Sequence, residues 1–405
     1  VDAVALNRVI SGNPSTLLGT LSANGGVILV NPNGILVGGG GVIDVGGLMA
    51  LSTLDIDDAD FLDGGTMTFK GDSAAGVTNL GTITSRGGDV VLLGNFVDNQ
   101  GAVGAPDGTV AFGAGGEFIV DSVGESRLSV VAGGPGGETG ISNSGEVSAA
   151  AVEFKAHGNV YALAIQNTGI VRANGVSRQG GRIILSAAGD GSVGGRIENS
   201  GDLIARGPGG AGGEILIDGG PGGQVDILGG RVDADGDNGA DGGTITMLGD
   251  IVNVTGDSRV SADGANGGSV QIGSKTGTSA ITVGPDASVS ANGETGNGGV
   301  VQVLGNQSSV INVFGQVSAD GAQGGGLVQM SGGTVTTHEG SVVSANGGET
   351  GGQVQFVGNG INSVTVNGTV SATGGEGGRV TVGADQVTTG ANSVIDVSGE
   401  AVGGM

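Results

Sequence analysis

The chain has 405 residues, 94 of them glycine, with neither cysteine nor tryptophan and a formal net charge of −25. Glycine is not strictly every third residue and prolines number seven, which removes collagen, while a regular beat of Val, Ile, Leu and Ala removes a disordered low-complexity chain. The charge excludes nucleic acid and anionic membrane as partners, the absent cysteines exclude disulfides and thiolate metal sites, and no transmembrane segment is expected because no apolar run approaches 18 residues. Cysteine avoidance fits either a biased composition or a chain that must stay unfolded while crossing an oxidising periplasm.

In chain order, the first strand signals are GVILV at 26–30 and GILVG at 34–38, separated by Asn31-Pro32-Asn33-Gly34. Proline fixes φ and glycine is free to take a positive φ, so these four residues predict a tight corner. Asp57 and Asp60 are placed to cap a single helical turn that Gly64 ends.

The series Asn7-Arg8-Val9, Gly12-Asn13-Pro14-Ser15, Leu17–Leu21 with Gly19, Asn31-Pro32-Asn33-Gly34, Val45-Gly46-Gly47, and Ser52-Thr53-Leu54 with Asp57–Leu62 resembles a known secretion domain. It is the one at the N-terminus of two-partner-secretion exoproteins, the filamentous-haemagglutinin-like family. The resemblance covers most of residues 1–70. It implies a β-helix recognised by the periplasmic domains of an outer-membrane barrel transporter, and an extracellular or cell-surface destination in a Gram-negative-type bacterium. It also implies that Asn31, Pro32, Asn33 and Gly34, with Asn13 and Pro14, belong to motifs used in secretion and partner recognition. On physical grounds alone the same residues simply make a corner, and both readings stand at this point. Family members carry further strands and a capping section before the position of Val1, so residues 1–70 read as the C-terminal part of such a domain.

Residues 71–170 hold less regular strands, DVVLLGNFV, GEFIVDS and RLSVVAG, with most of the phenylalanines in or near them. They read as further coils with looser spacing and an extra-helical excursion.

From 171 to 405 the chain repeats a phrase. Aligned on the apolar residue of V-S-A-D/N-G, the positions are Val171, Leu203, Val232, Val260, Val289, Val317, Val343, Val370 and Ile395, with a mean spacing of about 28 residues, the range of a solenoid. One unit shows three beats of period two: Val260 and Ala262 around Ser261, Val270 and Ile272 around Gln271, Ile281 and Val283 around Thr282. The fold class is therefore all-β, a three-sided parallel β-helix, with the right hand expected for parallel crossovers. Outward columns are expected at Gln271, Gln302, Gln329 and Gln355, and at Ser261, Ser290, Ser318, Ser344 and Ser371. A turn column runs through Asp263, Asn292, Asp320 and Asn346, where alternation of Asp with Asn keeps carboxylates from stacking.

Chemistry is sparse. His157 and His338 lie far apart, and neither has a Ser or Cys arranged beside it for nucleophilic catalysis. No grouped acids or aromatics mark a sugar-cleaving groove, so no enzyme is expected. The candidate ion site is DADGDNGADGG, where Asp233, Asp235 and Asp237 match the first spacings of a calcium loop and Asp241 follows. Asn238 stands where that loop needs glycine and Thr244 where it needs glutamate, so a weak calcium site competes with a plain acidic turn.

The expected function is a secreted, surface-exposed β-helical rod of a larger exoprotein, structural or adhesive in role. Its expected partners are the transporter and a host-cell, glycan or neighbouring-cell surface. Alternatives are a filament or matrix subunit that self-associates end to end, the stalk of a toxin, and a carbohydrate-active β-helix enzyme.

Overall fold

The computed structural model describes residues 3–402, apart from 122–125, 134–139, 158–162, 176–180, 189–192, 275 and 359. Ser122, the last residue of the predicted strand GEFIVDS, falls outside these. The described residues form two compact units: those within 3–175, 182–201 and 218–223 make the first, and those within 181, 202–217 and 224–402 the second.

The second unit is a parallel β-helix whose register follows the repeated phrase. Leu203 pairs with Val232, Val232 with Val260, Val260 with Val289, and Val289 with Val317. The column continues through Val343, Val370 and Ile395. A coil has three short strands, as in Arg259–Ser261, Ser269–Gly273 and Ala280–Val283. Their inward residues Val260, Ala262, Val270, Ile272, Ile281 and Val283 are all buried, as period-two alternation requires. Burying a Val or Ile is worth roughly 1.5–3 kcal/mol, so the stacked column of apolar residues holds this unit together.

The first unit has shorter coils: Val4 pairs with Gly26, and Val27 with Met49. Two long strands, Ala102–Ala114 and Glu146–Ala156, bend from one face to the next, with a register irregularity between Ala105 and Thr109. Phe112 and Phe154 stack in successive coils at 4.6 Å. The chain also leaves the helix twice. Strands Asp55–Ile56, Met67–Lys70, Glu117–Val120 and Leu128–Ala132 form a separate antiparallel sheet, with the short helix Asp58–Asp63 in its first excursion. Phe69, Phe118, Leu54, Leu93, Leu128 and Val130 fill the space beneath it, which explains where the aromatics of this half are spent. The buried Glu153 carboxylate accepts the N–H groups of Arg127 (2.9 Å) and Leu128 (3.1 Å) and pairs with Lys155 at 3.0 Å, pinning the second excursion to the helix wall.

The helix ends at Gly64 with φ of 68°, as expected, but Asp57 makes no capping hydrogen bond. Its carboxylate pairs with Lys70 at 3.2 Å instead.

Candidate functional site

The corner at 31–34 is turn chemistry carried out in full. Gly34 has φ of 109°, a conformation open to glycine at no steric cost. Asn31 ends the strand Gly26–Val30 and is completely buried, so its amide must find partners. Its Nδ2 donates to the Asn13 carbonyl at 3.0 Å and to Ser15 Oγ at 2.8 Å, and its Oδ1 accepts the Asn33 backbone N–H at 2.9 Å. Asn33 Nδ2 donates to the Ser11 carbonyl at 2.8 Å, and Ser73 Oγ donates to the Pro32 carbonyl at 2.6 Å. The two Asn-Pro motifs therefore sit in consecutive coils, tied to each other and to the next coil. Asn13, Pro14, Pro32 and Asn33 are exposed on this one corner. All six residues singled out in the sequence meet here.

Arg8, in the adjoining first strand, reaches the base of the first excursion. Its Nε donates to Asp55 Oδ1 at 2.7 Å, its Nη1 to Asp58 Oδ1 at 2.6 Å, and its Nη2 to the Ile56 carbonyl.

A second feature went unread in the sequence. Asn79, Asn99, Asn143, Asn167 and Asn199 occupy one buried column of the first unit. Each of the first four donates Nδ2 to Oδ1 of the next, at 2.7–2.8 Å. Asn199 closes the ladder on the Gly201 carbonyl at 2.9 Å. The signal was available as N-x-G at 79–81, 99–101, 143–145, 167–169 and 199–201. The glycine is needed because a Cβ at Gly101 or Gly145 would lie about 2 Å from the carbonyl oxygen of the glycine one coil earlier.

The turn column in the second unit is present but bonds differently from a side-chain ladder. Each carboxylate or amide accepts the backbone N–H of its counterpart in the next coil: Asp263 from Asn292 (2.5 Å), Asn292 from Asp320 (2.8 Å), Asp320 from Asn346 (2.6 Å) and Asn346 from Thr373 (2.9 Å). Asp235 extends it, accepting from the Asp263 N–H at 2.7 Å. The alternation of Asp with Asn thus fails at this end, where two carboxylates are neighbours. Burial first, and the nearby Asp233 charge second, push the Asp235 carboxyl up to about 7, and burial raises Asp263 as well. The glutamine column is in register throughout, yet only Gln302 bonds to its neighbour Gln329, at 2.8 Å.

The four acids of the calcium candidate do not converge. Asp233, nearly fully buried, is held by Arg206 through Nη1 at 2.6 Å and Nη2 at 2.9 Å. Asp237 takes Arg206 Nε at 2.9 Å, Asp235 serves the turn column, and Asp241 accepts the backbone and side-chain amides of Asn266. Among the described residues no three acidic, His or Cys side chains are grouped to hold a metal ion. The physical reason is that Arg206 neutralises the pair that a cation would have required. His338 stacks on Phe314 at 3.7 Å, with Nε2 3.0 Å from Asn312 Oδ1, and burial lowers its pKa.

Residues 2–203 match the family described as TPS secretion domain. The chain belongs to the two-partner-secretion exoproteins. This match runs well past the first seventy residues that carry the quoted motifs. A heme/hemopexin-binding protein of Haemophilus influenzae is 30% identical over 196 residues, 46% of this chain and 21% of that protein. A second heme/hemopexin-binding protein from the same species is 53% identical over 55 residues, 14% of this chain and 6% of its own. The chain thus spans about a fifth or less of the length of the curated relatives it matches. The HMW1 secretion domain from Haemophilus influenzae shares the fold, with a TM-score of 0.59 over 84% of each chain at 24% identity. A two-partner-secretion exoprotein is exported through an outer-membrane transporter and reaches the cell surface or extracellular space of a Gram-negative bacterium. Among the described residues no helix is long and apolar enough to cross a membrane.

Proposed function

We propose that the corner at Asn31-Pro32-Asn33-Gly34, with Asn13-Pro14, is the surface the transporter reads, and that the coils beyond it form a non-enzymatic adhesive or structural shaft. The observation that carries the first part is the division of labour in the corner. Asn31 is wholly buried and fixes the backbone, while Pro32, Asn33, Asn13 and Pro14 are held rigidly outward. A preorganised surface of this kind binds without first ordering a loop. The shaft reading is supported by the in-register apolar columns of the second unit and its polar outward columns.

The test compares Asn33→Ala with Asn31→Ala when each is co-expressed with the transporter. Asn33→Ala removes the exposed amide with its bonds to the Ser11 carbonyl and to Asn31 Oδ1. It leaves the Asn31 bonds to Asn13, Ser15 and the Asn33 N–H, so the protein should fold with wild-type circular dichroism but bind the transporter's periplasmic domains more weakly and accumulate in the cell. Asn31→Ala should lose both folding stability and export. Normal export and binding of Asn33→Ala and of Pro32→Ala together would confine the corner to a structural role and refute the recognition reading.

A haem-related role, suggested by the printed names of two relatives, has weaker support in this chain. His157 and His338 are far apart in sequence, and His338 is engaged with Phe314 and Asn312.

A further inference from the structure

The corner that follows the strands Val300–Leu304, Leu327–Ser331 and Gln353–Phe356 carries inserts of unequal length. Residues 305–309 make a long turn and the described residues 357–358 and 360–362 belong to another, whereas the coil between them turns on Gly332-Gly333 alone. One layer of the corner is missing between two that are present. The result is a groove of about 620 Å³, lined by Asn306, Gln307, Ser308, Gln329, Ser331 and Val357. The short turn is fixed by close approach: a Cβ on Gly333 would lie 2.2 Å from the Gln307 carbonyl oxygen, and one on Gly332 would lie 2.9 Å from Ile311 Cδ1. The groove therefore cannot be filled by an ordinary side chain at its floor.

Its lining carries no charge and an excess of unspent amide groups. Gln329 Oε1 is taken by Gln302 at 2.8 Å, and Asn306 Oδ1 by the Ser308 N–H at 2.8 Å and the Ser309 hydroxyl at 3.1 Å. Among the described residues neither Asn306 Nδ2, Gln329 Nε2 nor the Gln307 amide has a partner. Gln307 lies along the rim toward Gly360, where a Cβ would come within 2.8 Å of its Nε2. Amides that both donate and accept, a serine hydroxyl beside them and one apolar wall at Val357 match a ring that bears hydroxyls on its edge and C–H bonds on its face. The volume is in the range of small-ligand clefts, about 300–1,000 Å³. A net charge of −25 disfavours anionic ligands across the whole surface.

We infer that this groove binds a neutral oligosaccharide, which rests on the adhesive role proposed above and names its ligand class. The test uses the full exported chain, titrated calorimetrically with neutral oligosaccharides ending in galactose, glucose, mannose or N-acetylglucosamine, and with sialylated counterparts. At least one neutral glycan should bind saturably, with sialylation abolishing or weakening the interaction. Gln307→Ala and Gln329→Ala should each weaken binding by about tenfold, the loss expected for one ligand hydrogen bond. Gln316→Ala, on another face, should leave it unchanged. Ser308→Glu, which brings charge to an exposed rim position, should abolish it while circular dichroism stays the same. If no neutral glycan binds, or if the groove variants bind as well as the wild type, the inference is overturned. Adherence of the wild-type protein to cells is scored separately. Adherence without glycan binding sinks the groove and leaves the adhesive role standing, whereas glycan binding without adherence sinks the adhesive role and leaves the groove.

Discussion

Replacing Asn143 by leucine removes the middle rung of the buried asparagine column with a side chain of nearly the same shape. Asn167 Oδ1, which accepts from Asn143 at 2.7 Å, loses its partner, and Asn99 Nδ2, which donates to Asn143 at 2.7 Å, keeps only a long bond of 3.4 Å to the Gly101 carbonyl. All three side chains are buried, so water cannot replace the bonds without opening the coil. An orphaned group costs about 1–3 kcal/mol, so losing both short bonds puts Asn143→Leu at roughly 2–6 kcal/mol. Asn99→Leu should cost a similar amount by orphaning Asn143 Oδ1 and leaving Asn79 Nδ2 only its long bond of 3.4 Å to the Ala102 carbonyl. The double variant leaves only Asn167 Oδ1 unpaired and Asn79 Nδ2 on its long bond to Ala102, so it should cost about as much as either single change and not their sum. Guanidinium unfolding of the purified protein, followed by far-UV circular dichroism, measures all three against wild type. Additive losses would mean that the column is a set of independent contacts and would refute the ladder as a cooperative unit.

Gly145→Ala would place a Cβ 2.0 Å from the Gly101 carbonyl oxygen, and thermal unfolding should show a loss of about 1–3 kcal/mol. Arg8→Ala should cost only about 1 kcal/mol, because its ion pairs are solvent-accessible, yet limited proteolysis within residues 53–73 should become faster as the excursion loses its anchor. Asp235 is neutral in the folded chain until about pH 7 but ionises near pH 4 when unfolded, so the folded state binds the extra proton between those values and stability falls as pH rises through them. Asp233 is lowered and acts only below pH 4, outside that window. Asp235→Asn should therefore stabilise the protein at pH 7.5, on the order of 1–2 kcal/mol after allowing for partial solvent screening, and flatten the profile between pH 5 and 7.5. A steeper profile in the variant would refute this. Because Arg206 already occupies Asp233 and Asp237, millimolar calcium or a chelator should leave the melting temperature unchanged, and a rise with calcium would restore the ion site.

The repeated phrase determined the second unit by itself. Each coil must place apolar residues over apolar residues at a fixed strand spacing, so spacing in the sequence is already register in space, and Val232 through Ile395 pair as their alignment requires. The turn residues 31–34 were equally legible, since proline and glycine act on their own backbone. What sequence spacing could not reveal was which groups spend each other. Asp233 reads as a cation ligand until Arg206, from the preceding coil, is seen to hold both its oxygens. Asp235 reads as a calcium-loop acid or a plain turn residue until Asp263 is stacked over it and both are buried. The excursions break the period, so the antiparallel pairing of Phe69 with Phe118 had no repeat to announce it. The asparagine column was written in the sequence as N-x-G, but at spacings from 20 to 44 residues, because an excursion lies between Asn99 and Asn143. Only the closed coils bring those amides within 2.8 Å of one another, since a solenoid erases differences in loop length between its layers.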